Sequence, residues 1–188
     1  GLIYAGLGVP GREHWIEQGV SCLEAALNHQ VASDGGHISR SPRKLRAVLC
    51  HCLDLRAAIQ AAQLPVPEAL QHAIDRMVPA LLVFSYPDKG FPVFHDTREG
   101  DAVHIDHIRK LAGGRVRAMT SLPDTGFERL HQGKGTCLMD TGRAPPAGHD
   151  AHAHAGLLAF EFIYGRDRIF VNCGTHPVDE NWRELLRG

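Results

Sequence analysis

Long basic runs are missing from this sequence. The longest is a pair, such as Arg43-Lys44, and 20 lysines and arginines face 21 aspartates and glutamates, for a net charge of −1 and a pI near 7.0. Nucleic-acid binding needs a concentrated positive field, so no nucleic-acid partner is expected. Also missing is any apolar run of about 18 residues, the length a membrane-crossing helix needs, so no membrane span is expected. The five cysteines, at positions 22, 50, 52, 137 and 173, are odd in number and lack CxxC pairs. That argues against a disulfide framework or a cysteine zinc cage, and Cys50 and Cys52 read as packing residues. No signal peptide, internal repeat or low-complexity segment is visible. The opening Leu2-Ile3-Tyr4 and the closing Trp182 to Gly188 carry no boundary signals, so the chain reads as a fragment.

What is present is ordinary globular composition. The 188 residues, 44% hydrophobic and 22% charged, suffice for one sizeable core or two small ones. Thirteen histidines favour acid–base or metal chemistry, although most imidazoles in any chain are solvated or structurally bonded. Glu13 to Val31 places Trp15, Ile16, Val20, Leu23 and Leu27 near helical spacing. Ser33 to His37 breaks that helix, and Ser41-Pro42 offers a capping residue and a first-turn proline ahead of Leu45, Leu49, Cys52 and Ile59. Pro65-Val66-Pro67-Glu68 opens a third helix with Leu70, Ile74, Met77 and Leu81 on one stripe, in which Pro79 predicts a kink or an early stop.

After Tyr86-Pro87 the segments shorten. Phe91 to Phe94, Arg115 to Leu122, Gly126 to His131 and Gly135 to Asp140 read as strands, and the polar stretch from His95 to Gly114 has room for a short helix. Ala151-His152-Ala153-His154-Ala155-Gly156 then leads into a hairpin turned at Gly165-Arg166-Asp167. If that entry is extended, His152 and His154 share a face. With Asn172 at the far end of the hairpin, three ligand or proton-transfer groups meet at one end of the sheet. The phenylalanines and leucines of the hairpin read as core.

Asp34-Gly35-Gly36-His37-Ile38-Ser39-Arg40-Ser41-Pro42, Asp124-Thr125-Gly126-Phe127-Glu128-Arg129-Leu130, Asp140-Thr141-Gly142, His152-Ala153-His154-Ala155-Gly156 and Val171-Asn172-Cys173-Gly174 resemble, in order and spacing, the heparinase II/III-like family. The resemblance implies an α+β multidomain fold: the end of an (α/α) toroid over residues 1–86, then an antiparallel β-sandwich over residues 87–188. It implies a polysaccharide lyase that cleaves uronate-containing acidic glycans, glycosaminoglycan or alginate, by β-elimination, and a bacterial source. Its substrates favour the periplasm or cell envelope, while unpaired cysteines also suit the cytoplasm.

Elimination needs the uronate carboxylate neutralised, a base for the adjacent carbon proton and an acid for the leaving glycosidic oxygen. By the resemblance, His152 is the catalytic cleft histidine, and His37, Arg40 and Lys44 line the substrate path. His154 stands at a zinc-ligand position, with Asn172 where the family has aspartate and a third ligand beyond Gly188. Lys44 replaces the family's tyrosine, and lysine is better suited to binding an acidic sugar than to taking its proton. The upstream toroid, which supplies further cleft residues in the family, is absent, so this stretch alone is expected to be inactive. Against these roles stand plainer readings: a capping loop at Asp34 to Ser41 with Arg40 solvated, and sandwich histidines bonded to carbonyls. A second function on the same fold is a non-catalytic acidic-glycan-binding or cell-envelope scaffold.

Overall fold

The computed structural model describes residues 1–98, 105–113, 116–117, 119–151, 153–154, 156–174, 181–182 and 185. Among the described residues five helices, α1 (Leu2–Gly8), α2 (His14–Gln30), α3 (Pro42–Ala61), α4 (Glu68–Val83) and α5 (Ile105–Ala112), precede five short strands. The strands are β1 (Ser121–Leu122), β2 (Phe127–Gln132), β3 (Gly135–Asp140), β4 (Phe160–Tyr164) and β5 (Asp167–Phe170), paired antiparallel in sequence order as one meander.

Helices α2 to α4 form where apolar spacing and capping predict them. The Ser41 side chain accepts the Lys44 N–H at 3.1 Å, and Pro42 occupies the first turn, where its missing N–H costs nothing. Pro79 does not stop α4, which runs on to Val83. The bond lost at Pro79 is offset by burial of Ala80, Leu81, Leu82 and Val83, each at most 1% exposed. Helix α1 goes unannounced by periodicity because it is rich in glycine. The reason for the glycine is packing: a Cβ on Gly6 would lie 2.7 Å from Ile16, and one on Gly19 would lie 2.6 Å from Ile3. The two glycines let α1 and α2 approach closely.

Two expectations for the β half are corrected. Phe91 to Phe94 form a loop, not a strand, because the Val93 N–H donates to the Glu161 carboxylate at 2.8 Å instead of to a neighbouring strand. Their rings still join the core, with Phe84, Phe91 and Phe94 packed edge-on around the junction between helices and sheet. Nor is the hairpin all core. Glu161 and Ile163 are the fully buried residues of β4, while Phe160 is 44% and Phe170 56% exposed on the opposite face, in edge-to-face contact with ring centroids 5.8 Å apart. Strand parity explains this, because only alternate residues face the helices. The side facing them carries Leu122, Phe127, Leu138 and Ile163.

Glu161 is held inside by four donors: the Tyr86 hydroxyl at 3.0 Å, the Val93 N–H at 2.8 Å, and the backbone and side-chain N–H groups of Asn172 at 3.3 Å. Burial raises its carboxyl above the usual range despite these bonds, and burial beside Glu161 raises the Tyr86 phenol strongly. The network ties the end of α4 to the hairpin.

Candidate active site

The loop from Val31 to Ser41 is a compact turn closed on itself by the Val31–His37 bridge and the Ala32 N–H bond to the Gly36 carbonyl. Gly35 sits at φ +81°, and a Cβ there would lie 2.1 Å from the Arg76 carbonyl oxygen, so only glycine fits. Its neighbour Asp34 reaches out of the loop. The carboxylate accepts the Gly36 N–H at 2.9 Å, the Asp124 and Thr125 N–H groups at 2.8 Å and the Thr125 hydroxyl at 3.1 Å. This clips the loop to the β1–β2 turn.

Arg40 makes the second clip. Its guanidinium donates to the carbonyls of Thr125 (2.7 Å), Arg143 (2.6 Å) and Gly126 (3.2 Å), and it ion-pairs with fully buried Asp140 at the end of β3. Arg40 is 8% exposed and sits at φ +57°. It is not a solvated charge: the geometry makes it the buckle between helices and sheet, with part of it on the cavity wall. On the far side of Asp140 lies buried His95, its Nε2 3.3 Å from Asp140 Oδ2 without hydrogen-bond alignment. The His154 backbone N–H donates to His95 Nδ1 at 3.2 Å, so a neutral His95 ring carries its proton on Nε2, facing the carboxylate.

His37 is buried in the same turn, its Nδ1 2.7 Å from the Ser39 hydroxyl and its Nε2 3.4 Å from the Gln30 side-chain oxygen. Burial, helped by the nearby charges of His149 and Lys44 and opposed by Asp96, pushes it down to about 4. The ring is therefore neutral at neutral pH, a hydrogen-bonding group and a weak base. Lys44 is exposed on the first turn of α3. His149 and Lys44 each lie near enough to act on the His37 ring. Beside them a cavity of about 860 Å³ opens between the end of α2 and the sheet loops, lined by Asn28, His29, Arg40, Asp124, Glu128 and Arg143 among others.

His152, the expected catalytic residue, lies outside the described residues. His154 is described, half-buried, but in irregular backbone ahead of β4, so the expected strand entry is corrected to a loop that packs on His95. Asn172 turns its amide N–H to Glu161. Among the described residues no group of three His, Cys, Asp or Glu side chains gathers where it could hold a metal ion. One imidazole and one committed amide fall short of the three or four strong ligands of a protein zinc site. The donor set does not fit zinc. Sequence reasoning missed His95, Asp140 and Glu161 as organising groups. Asp140 and Glu161 lie among apolar strand residues, where buried carboxylates are the informative exceptions.

Two family descriptions together match the whole chain: "Heparinase II/III N-terminus" over residues 1–113 and "Heparinase II/III-like, C-terminal" over residues 114–188. The chain belongs to the heparinase II/III family. Among curated proteins it is 30% identical over 170 residues to "FtsZ-localized protein C" of Caulobacter vibrioides, a match covering 90% of this chain and 29% of that protein. Heparan sulfate lyase HepC from Pedobacter heparinus shares the fold at a TM-score of 0.77 and 20% identity, over 99% of this chain and 34% of that one. Heparinase III does so at a TM-score of 0.79 and 17% identity, over 100% of this chain and 36% of that one. The chain thus spans about a third of the length of these heparinase II/III relatives, and the helices followed by an antiparallel sheet are the fold they share.

Proposed function

We propose that this heparinase II/III chain forms part of a polysaccharide lyase that cleaves uronate-containing acidic glycans by β-elimination, at the cleft between the helices and the sheet loops. The full architecture of that reading is the end of an (α/α) toroid packed on a β-sandwich. The observation that supports it most is the Arg40–Asp140 buckle. It fixes the His37 turn against the loops of the sheet, with Lys44 and His149 near His37 and with the neighbouring Ile38 and Arg40 lining an open cavity.

In this mechanism the Lys44 ammonium binds the uronate carboxylate and draws charge from the adjacent carbon. His152 takes the carbon-bound proton, the electron pair forms the new carbon–carbon double bond as the glycosidic carbon–oxygen bond breaks, and the leaving oxygen takes its proton from water. Neutral His37 donates a hydrogen bond instead of acting as the base. No step passes through a metal. The test is turnover by the full-length protein: His152→Ala lowers kcat by about 10²–10⁴-fold with folding intact, while Lys44→Ala chiefly raises KM. An unchanged rate in His152→Ala contradicts the assignment.

A second reading, an acidic-glycan-binding or cell-envelope scaffold, is favoured by where the tyrosines stand. Tyr86 is locked on Glu161, and Tyr4 and Tyr164 are exposed on α1 and the hairpin turn, so no tyrosine lines the cavity to serve as a proton-transfer group. The relative's description as an FtsZ-localized protein points the same way. This reading predicts saturable glycan binding without product.

A further inference from the structure

His29, in the last turn of α2, and His149, in the loop after β3, are 120 residues apart in sequence, yet their Nε2 atoms face each other at 3.1 Å with ring centroids 5.1 Å apart. Two ring nitrogens bound to one ion at about 2.0–2.1 Å stand about 2.9 Å apart at a right angle and about 3.4 Å apart at the tetrahedral angle. The observed separation lies between these limits. The two Nε2 atoms are in hydrogen-bond contact, which brings both rings to one place; His29 is carried by the last turn of α2, and the His149 backbone is tied by its N–H bond to the Pro146 carbonyl at 2.9 Å. We propose that His29 and His149 form a binding site for a borderline transition-metal dication of the zinc, nickel or copper class, and that the bound ion clamps α2 to the 143–150 loop at the rim of the cavity.

The site is separate from His154 and Asn172. Imidazole pairs prefer borderline metals over magnesium or calcium, which take oxygen ligands. No third His, Cys, Asp or Glu among the described residues completes the set, so water fills the remaining positions and the ion is held more weakly than at a structural zinc site with three or four protein ligands. The clamp joins the same two parts that Arg40 buckles from inside, and an ion there leaves open coordination positions beside a cavity lined by His29 and Arg143.

Calorimetric titration of the full-length protein with zinc chloride, with magnesium chloride as the control, tests the site. His29→Ala and His149→Ala remove surface or half-buried rings and leave every cysteine in place, so other thiol and imidazole binding is constant across the series. We expect one zinc equivalent to be lost, or bound at least about tenfold more weakly, in either single variant, with no further loss in the double variant. Zinc should raise Tm in the wild type and raise it less in both variants, since only an ion bound to the folded site shifts the unfolding equilibrium. Equal zinc uptake and equal Tm shifts in wild type and both variants, or no uptake at all, would overturn the proposal.

Discussion

Among single residues, Arg40 and His37 divide the work of the turn between them. Arg40 is fixed by three carbonyls and one carboxylate, and its removal leaves buried Asp140 without its ion-pair partner. Breaking one side of a buried ion pair costs about 3–5 kcal/mol, and Arg40→Met should lower stability by that order in urea unfolding. A loss within the range of a surface substitution, about 0.5 kcal/mol, would show that the buckle contributes little. His37 makes acid the sensitive direction. Its folded-state value of about 4 lies below the ordinary 6.5, so the unfolded chain binds the extra proton between the two. The associated stability, at most about 3 kcal/mol, is full above pH 6.5 and is lost as pH falls towards 4. His37→Gln should therefore lose less stability than the wild type between pH 7 and pH 4.5. Equal losses would mean that His37 titrates as freely folded as unfolded.

Secondary-structure elements show how far the sequence can be read. Helices α2, α3 and α4 were legible because their apolar residues recur at helical spacing and Ser41-Pro42 marks a start. Helix α1 was not, because Gly6 serves a close helix contact that exists only in three dimensions. The hairpin was legible as strands but not as faces. Phe160 and Phe162 alternate with Glu161 and Ile163, and hydrophobicity alone points to the phenylalanine face as buried, whereas the Glu161 network turns the other face inward. The histidines and glycines around the site were visible as motifs. The pairing of Arg40 with Asp140, 100 residues on, and of His29 with His149 was not, because single-sequence spacing carries no long-range contacts. A prediction at this scale concerns Gly35: adding a Cβ at φ +81° drives it into the Arg76 carbonyl. Gly35→Ala should cost more than about 1 kcal/mol, read from the urea midpoint, and should loosen the 31–41 turn. A midpoint like the wild type's would show that the turn rearranges without cost.

For the whole molecule, polar ties that join the helical part to the five-stranded sheet include Asp34 to the β1–β2 turn, Arg40 to Asp140, Tyr86 to Glu161, and Arg129 of β2 to the carbonyls of Val83 and Ser85. The Asp34, Arg40 and Tyr86 ties are buried, so the two parts are held in one register and the loops that carry His37, Lys44 and His149 are set relative to one another. The elimination account depends on that register. The measurement that tests it most directly is the near-ultraviolet absorbance of newly formed unsaturated uronate, followed with the full-length protein on heparan-type, chondroitin-type, alginate and bacterial acidic polysaccharides. The account predicts a steady rise with at least one of these glycans that disappears in His152→Ala. No rise with any of them, from protein shown to be folded and to bind an acidic glycan saturably, would contradict it and favour the scaffold.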